Sequence, residues 1–326
     1  MRFAIASVIA HNAYTALLLA WVHSVAHTLQ RMPHVHADIV FVHCQTDVPT
    51  LRTIAACVMA RYPDVRVRLV GGCVDHPSRR HPHFVDAVAR NTGHARFLNT
   101  WSIFSLWSLT EYQQVLYMDA DTVLLRPIDR LLDEMAEPMR TGHVGCVRVE
   151  PREPCNSGVV LLRPSARIFE SMRRALDRIA EVGGFVLSDQ DFFSSFFAGC
   201  LTHMNRTYNF ADVMRARPVP AEVHILHFQG HHAENKPVDY RAGGTLRYTR
   251  SAPEWPVFAV FETHFAPLYE CYTAAAARGG VAPLFPPKPA SYRKGKPKHD
   301  HGKNIDRPSR KIVRKYSADA CTGART

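Results

Sequence analysis

Two aspartates that could hold a metal ion, Asp119 and Asp121, stand one residue apart directly after an apolar run, QVLYM. In open α/β sheets, ligands bind beyond the carboxyl ends of the strands, which is where this run ends. Carboxylate oxygens suit Mg²⁺ or Mn²⁺, and such an ion neutralises the charge of a diphosphate. A solvated turn at the end of a strand would contain the same two residues, so the pair alone leaves both interpretations open.

A histidine and a lysine further along the chain could complete such a site. His227 lies in a second strand-like run, HILHFQG, and its imidazole would favour Mn²⁺ if it faces the same cleft. Gly230 lets the backbone come close to a ligand, and Lys236 could hold a phosphate as a point charge. A packed histidine and a solvated lysine are the ordinary alternatives.

Two further groups offer contacts to a sugar. Asn156 and Ser157 precede Gly158 in a turn-like NSG segment, and their short amide and hydroxyl groups suit sugar hydroxyls. Asp189 and Gln190 open a helix-like stretch of aromatic residues, DQDFFSSFF. An acid in a first helical turn is usually a capping residue, but one that faces a cleft could stabilise an oxocarbenium ion.

The elements that must position these groups alternate between strands and helices. This βαβαβ rhythm predicts a parallel sheet with helices on both faces, which is an α/β fold. The pattern predicts strands over 3–9, 39–43, 65–70, 114–118, 144–148, 159–162 and 223–227. It predicts helices over 50–61, 95–109, 165–180 and 188–197, with Ser165 and Ser188 as N-caps.

Composition separates a near-neutral body from a basic tail. The 326 residues are 46% hydrophobic and 21% charged, which excludes a disordered chain, a collagen and a coiled coil. Of the net charge of +11, +9 lies in residues 286–326. We therefore expect no nucleic acid on the near-neutral body, and expect any contact with an anionic surface to involve the tail. The predicted units are a globular domain over 1–255, a helical extension over 256–282 and a disordered tail over 283–326.

Cysteine use and hydropathy suggest a location. The eight cysteines form no CxxC pair and show no regular spacing, which argues against a disulfide framework and favours a reducing compartment. The longest apolar run, 13–22, is about half of the roughly 20 residues that a membrane span needs. Because polar residues interrupt the N-terminal apolar stretch, a first strand is favoured over a signal peptide. The expected location is cytoplasmic.

Five separated motifs together resemble one family. They are WSLTEYQQVLYMDADTVLLRPID (107–129), CNSGVVLLRPS (155–165), SDQDFFSSFF (188–197), YNF (208–210) and HFQG…KP (227–237). In this order they resemble the glycogenin-like retaining glycosyltransferases, family 8 of that enzyme class. The resemblance covers about residues 3–240, and the SVIAHNAY segment looks like the family's first strand and loop. It implies a GT-A fold, a single α/β domain that binds a nucleotide sugar.

The resemblance also implies a role for each matching residue. Asp119, Asp121 and His227 match ligands of Mn²⁺, with Mg²⁺ as the alternative ion. Asp189 and Gln190 match the catalytic acid and amide beside the anomeric carbon. The remaining matches bind the UDP-sugar donor: Val8, His11 and Tyr14 in the first loop, Ala120 at the ribose and diphosphate, Asn156 and Ser157 at the sugar, and Gly230 and Lys236 in a closing loop.

The sequence departs from the family at three places. Ile103 stands where the family usually carries a lysine that faces the diphosphate, and Val186 stands where glycogenin has an aspartate. Residues 209–220 contain no tyrosine, so we expect no self-glucosylation.

The resemblance implies an Mn²⁺-dependent retaining glycosyltransferase that moves a hexosyl unit from a UDP-sugar to a saccharide, lipid or protein acceptor. Ile103 favours the alternative of a catalytically weakened sugar-nucleotide-binding protein. A nucleotidyltransferase is a further alternative, but IAHNAY replaces the Gly-rich loop that such enzymes carry after the first strand.

Overall fold

A computed structural model of the chain describes residues 2–9, 15–44, 47–72, 100–142, 144–148, 155–182, 189–211, 219–228 and 256–279, with 284, 312–313 and 315–316. Among these residues lie nine strands. They are β1 (Phe3–Ile9), β2 (Ala37–His43), β3 (Arg66–Gly71), β4 (Gln114–Met118), β5 (Thr122–Leu124), β6 (Val144–Val147), β7 (Asn156–Leu162), β8 (Leu201–Met204) and β9 (Ile225–His227).

The helices among the described residues connect these strands. They are α1 (Thr15–Leu29), α2 (Val48–Arg61), α3 (Asp129–Arg140), α4 (Ala166–Glu181), α5 (Asp189–Phe196) and α6 (Pro256–Gly279), with 3₁₀ helices over Thr100–Ser108 and Arg206–Tyr208. Ser165 caps α4 as predicted, because its side chain accepts a hydrogen bond from the backbone N–H of Ile168. No helix in the described part of the chain is long and apolar enough to cross a membrane.

A seven-stranded sheet in the order β3-β2-β1-β4-β7-β6-β8 forms the centre of the fold. The pairs β1–β2, β1–β4, β2–β3 and β6–β8 are parallel, whereas β7 runs antiparallel to both β4 and β6. The prediction of a mostly parallel α/β sheet is therefore confirmed. The antiparallel β7 has a direct consequence for function, because its first residues lie beside the last residues of β4.

The sheet separates two apolar clusters, as the predicted two-sided covering requires. Phe3 and Ile5 of β1 face the cluster built with α1, while Ala4 and Ala6 face the cluster built with α4 and α5. Successive side chains of a strand point to opposite faces, so a strand covered on both faces is apolar throughout. This is why the run 3–9 was recognisable as a strand in the sequence.

One predicted helix is of the 3₁₀ type. A helix was expected over 95–109; of this range, Thr100–Ser108 forms a 3₁₀ helix and residues 95–99 lie outside the described part. The reason is the spacing of its aromatic side chains. Trp101, Phe104 and Trp107 recur every third residue, which matches the 3.0 residues per turn of a 3₁₀ helix and places all three in one buried cluster.

Disulfide bonds contradict the prediction from the cysteines. Cys57 of α2 is bonded to Cys271 of α6, and Cys44 and Cys200 are disulfide-bonded as well. The expectation of reduced thiols without a framework was wrong because Cys57 and Cys271 are 214 residues apart, and no sequence spacing shows such a pairing. This bond links α6 to α2.

The predicted helical extension and the predicted tail both contain described residues. Helix α6 lies in the predicted helical extension and packs against α1 and α2. Leu284 and Val313 fall in the tail that was expected to be disordered, and both are buried against the apolar clusters. The predicted boundaries at 255 and 282 remain predictions.

Candidate active site

The turn after β4 holds two carboxylates in a fixed position. The backbone N–H of Asp119 donates to the carbonyl oxygen of Gly158 on β7, at 2.8 Å. The backbone N–H and the hydroxyl of Thr122 both donate to the carbonyl oxygen of Asp119, at 3.0 and 2.7 Å. These bonds close the turn tightly, so Asp119 and Asp121 project from a rigid backbone.

Strand β9 brings His227 to the same point. It pairs antiparallel with β5, so that His227 lies opposite Thr122, and the backbone N–H of Phe228 donates to the carbonyl oxygen of Asp121 at 2.9 Å. As a result, Nε2 of His227 lies 3.4 Å from Oδ1 of Asp121 and 3.7 Å from Oδ2 of Asp119. Residues that are more than 100 positions apart in the chain thereby form one cluster.

The geometry of this cluster fits a divalent cation. One ligand atom from each of Asp119, Asp121 and His227 lies within 4.8 Å of the other two. In an octahedral shell with bonds of about 2.1 Å, neighbouring ligand atoms are about 3.0 Å apart and opposite ones about 4.2 Å apart. The distances to Nε2 fall between these values. Two carboxylates and one imidazole are a donor set that suits Mn²⁺.

The pKa of Asp119 indicates a site that favours a cation. Loss of water around the site and the neighbouring charge of Asp121 raise the pKa of Asp119 to about 7, although His227 and a hydrogen bond from Tyr117 act in the opposite direction. The carboxylates therefore repel each other in the metal-free protein. A cation held by Asp119 and Asp121 would offset this repulsion and would displace any proton held by the pair.

Tyr117 is a buried member of the site that the sequence reasoning missed. Its hydroxyl donates a hydrogen bond to Oδ1 of Asp119. Burial, followed by the charges of Asp119, Asp189 and Asp121, raises the pKa of Tyr117 well above its ordinary range, so the hydroxyl keeps its proton. Because residues i and i+2 of a strand point to the same side, the position of Tyr117 two residues before Asp119 was the available signal.

The region around Asp119, Asp121 and His227, here called the recess, also contains a second acidic residue, Asp189, whose charge raises the pKa of Asp119. The hydroxyl of Ser157 donates to Oδ2 of Asp189 at 2.7 Å, and the backbone N–H of Ser157 donates to Oε1 of Gln190 at 3.3 Å. Burial raises the pKa of Asp189 despite hydrogen bonds from Ser157 and Thr100. Phe192, Phe193 and Phe196 anchor the helix that begins at Asp189, and they lie in the core as predicted.

Two buried amides and a glycine surround His227. Oδ1 of Asn209 lies 2.8 Å from Nδ1 of His227, and Nδ2 of Asn209 donates to Oδ1 of Asn156 at 2.8 Å. The α-carbon of Gly158 faces the imidazole so closely that a Cβ would stand 2.3 Å from its Cε1. The sequence reasoning quoted Asn209 and Gly158 within motifs and gave neither a part in the site.

The other predicted site residues divide into two groups. Val8, half-buried, is the penultimate residue of β1, and Ala120 is buried between the two aspartates. His11, Tyr14, Gly230 and Lys236 lie outside the described residues, so their roles remain predictions. Ile103 is buried in the apolar cluster around Trp101, which accounts for an aliphatic side chain where a lysine was expected.

Sequence comparison finds relatives that match part of the chain. No family model matches. Mouse glycogenin-1 is 30% identical over 147 residues, which cover 41% of this chain and 40% of the relative. The inositol phosphorylceramide glucuronosyltransferase 1 of Arabidopsis thaliana is 27% identical over 129 residues, which cover 39% of this chain and 22% of the relative. Rabbit glycogenin-1 is 27% identical over 187 residues, 50% of this chain and 52% of the relative.

Solved structures share the fold over most of the chain. The bifunctional glycosyltransferase WbbM superposes with a TM-score of 0.56 at 15% identity, covering 83% of this chain and 51% of that one. The galactosyltransferase LgtC, in complex with donor and acceptor sugar analogs, gives 0.51 at 17% identity, covering 82% and 96%. The expected GT-A fold and the resemblance to the glycogenin-like glycosyltransferases are thus confirmed. The matched segments span about half or less of the length of the curated relatives above.

Proposed function

We propose that the chain is an Mn²⁺-dependent retaining glycosyltransferase that transfers a hexosyl unit from a UDP-sugar to an acceptor. The observation that carries this proposal is the convergence of Asp119, Asp121 and His227 at the carboxyl end of β4, beside the buried carboxylate of Asp189. The relatives that match part of the chain support the reaction class.

The residues of the recess would have separate roles in the reaction. Asp119, Asp121 and His227 would hold the ion, with Tyr117 fixing the orientation of the Asp119 carboxylate. When bound, Mn²⁺ supplies positive charge that stabilises the diphosphate as a leaving group. Asp189, held by Ser157, would place a negative charge where positive charge develops at the anomeric carbon. Gln190 follows Asp189 at the start of α5, and its Oε1 accepts a hydrogen bond from the backbone N–H of Ser157.

Substitution of Asp121 tests the metal assignment. Asp121→Asn removes one negative charge from a side chain that is 8% exposed, so Mn²⁺-dependent binding of UDP should be lost while thermal unfolding changes little. Asp133→Asn, an exposed change on α3, is the matched control. Isothermal titration with UDP in MnCl₂ and in EDTA measures the effect. Unchanged Mn²⁺-dependent affinity in the Asp121 variant would exclude this site.

The buried Ile103 favours a second candidate, a sugar-nucleotide-binding protein with weakened catalysis. Ile103 contributes no cation to the diphosphate, and its surroundings are apolar. A panel of UDP-sugars with Mn²⁺, with and without acceptor sugars, separates the two functions. The glycosyltransferase releases UDP at a rate that depends on the acceptor, whereas the binding protein shows a thermal shift without release.

The disulfide bonds favour an oxidising compartment as the place of this reaction. Disulfides persist in secreted, luminal and periplasmic proteins and are rare in the cytosol. Four of the six cysteines in the described part of the chain are bonded, including Cys57 and Cys271. We therefore propose folding under oxidising conditions in place of the cytoplasmic location that the sequence suggested.

A further inference from the structure

We propose that Asn209 is a positioning residue that fixes the tautomer of His227, with Asn156 as the second link of the chain. This inference rests on the proposed function, since it explains how His227 is prepared for a cation. The side chains form a sequence of contacts from His227 Nδ1 to Asn209 Oδ1 and from Asn209 Nδ2 to Asn156 Oδ1, each at 2.8 Å. All three residues are 2–3% exposed, so water does not compete for these contacts.

The direction of every hydrogen bond follows from one backbone group. Oδ1 of Asn156 lies 3.0 Å from the backbone nitrogen of Gly158, and a backbone N–H can only donate. The atom of Asn156 in this position must therefore be its oxygen. The same oxygen contacts Asn209, which must present its NH₂ group there and turn its own oxygen toward His227.

The tautomer of the neutral imidazole follows from the same reasoning. Because Asn209 presents an oxygen, the contact with Nδ1 of His227 is a hydrogen bond only if Nδ1 carries the hydrogen. In the neutral ring, the lone pair is then on Nε2, which faces Asp121 at 3.4 Å and Asp119 at 3.7 Å. The ring is prepared to bind a cation through Nε2.

An amide suits this role better than the carboxylate that often orients a metal-bound histidine. The recess already contains the carboxylates of Asp119, Asp121 and Asp189, and burial together with the charges of Asp121 and Asp189 raises the pKa of Asp119. A fourth carboxylate at position 209 would add to this repulsion, whereas a neutral amide orients the ring without added charge. It also supplies the donor that Asn156 requires, which an ionised carboxylate lacks.

The backbone around Asn209 is fixed to the strand that carries His227. The backbone N–H of Phe210 donates to the carbonyl oxygen of Ile225 at 2.9 Å, and that of His227 donates to the carbonyl oxygen of Phe210 at 3.0 Å. The backbone N–H of Asn209 donates to the carbonyl oxygen of Arg206 at 3.1 Å. Asn209 and His227 therefore move as one unit, which is a requirement for a positioning residue.

The chain of contacts changes the interpretation of Asn156. The family resemblance implied a donor-sugar contact for this residue. Its Oδ1 accepts from both Gly158 and Asn209, so its side-chain oxygen serves the histidine.

Two measurements on the full chain test the proposal. The first is the nitrogen-15 spectrum of the histidines without metal, with His227 assigned by a His227→Gln variant. The second is the affinity for Mn²⁺ alone, measured by titration with electron paramagnetic resonance. We expect hydrogen on Nδ1 in the wild type, a shift toward the other tautomer in Asn209→Ala, and Mn²⁺ binding that is about 10–100-fold weaker in that variant.

Two further variants separate positioning from folding. Asn209→Asp keeps the acceptor for Nδ1, so it should retain the wild-type tautomer, which a merely structural role of the side chain does not predict. Asn205→Ala removes the cap that Asn205 provides to Thr207 in the same segment, and it should lower thermal stability without changing Mn²⁺ affinity.

Each outcome decides one of the two proposals. Absence of hydrogen from Nδ1 of His227 in the wild type would overturn the positioning role, and so would an unchanged tautomer in Asn209→Ala. Wild-type protein that binds no Mn²⁺ while showing the Nδ1 tautomer would overturn the proposed function and leave the role of Asn209 supported.

Discussion

A single methyl group at position 158 should displace His227. In Gly158→Ala, the new Cβ would stand 2.3 Å from Cε1 and 2.9 Å from Nδ1 of the imidazole, whereas ordinary van der Waals contact begins at 3.4 Å. The ring must therefore retreat by more than 1 Å. It has no solvent to enter, because the residue is 3% exposed and Asn209 holds its Nδ1. The retreat breaks that hydrogen bond or carries Nε2 away from Asp121.

The expected magnitudes follow from this clash. Overpacking of a buried site costs about 1–3 kcal/mol of folding free energy. Loss of the ring position should weaken Mn²⁺ binding by about 10–100-fold, which corresponds to about 1.4–2.8 kcal/mol. Titration with Mn²⁺ measures the second effect, and urea unfolding measures the first.

The control is the same substitution on the neighbouring strand. In Gly145→Ala, the new Cβ would meet Cε of Met135 at 2.7 Å and Sδ of Met204 at 3.0 Å, which are the flexible parts of two side chains. This variant should lose stability and keep its affinity for Mn²⁺. Equal Mn²⁺ affinity in both alanine variants and the wild type would refute the reasoning about His227.

Two other predictions concern helix α6. Reduction of the disulfide between Cys57 and Cys271 should lower the free energy of unfolding by about 2–4 kcal/mol, because the disulfide closes a loop of 214 residues. A melting temperature that is insensitive to reductant would contradict this prediction. Absence of the linked peptides on non-reducing mapping would contradict it as well. His23 of α1 contacts His264 of α6 at 3.1 Å, and burial, followed by the charges of His264, Arg61 and His27, lowers the pKa of His23 to about 3. The folded protein holds this ring neutral, so its stability is fully present above the ordinary pKa of 6.5 and is lost as the pH falls toward the folded value. At pH 5 the loss is about 2 kcal/mol, and urea unfolding at pH 7.5 and 5.0 should show it in the wild type and less of it in His23→Gln.

Local sequence patterns predicted the strands that position the site. The runs 3–9 and 114–118 have the predicted bounds, because both strands are covered on two faces and are therefore almost wholly apolar. The same logic placed Asp119 and Asp121 at a strand end. The run around His227 left two alternatives open, a packed histidine and a metal ligand. Only the family resemblance favoured the metal ligand.

The features that the sequence did not predict are contacts between distant residues. Tyr117 was the nearest to a local signal, since strand alternation alone puts it on the side of Asp119. Asn209 lies 53 residues from Asn156 and 18 from His227, and nothing in YNF shows that its amide lies between them. The sequence indicated only a turn at Gly158. Its close contact with the imidazole depends on the position of His227 on β9.

Local patterns in the chain establish the α/β class, the main strands, the acidic pair and the order of motifs through which similar proteins are recognised. The assembled fold establishes which polar groups share the recess, which cysteines are bonded and how His227 is oriented. This division arises because the pleat of a strand and the apolar period of a helix are local properties. The order of strands in the sheet is not local: the antiparallel placement of β7 beside β4 brings Gly158 and Asn156 to Asp119.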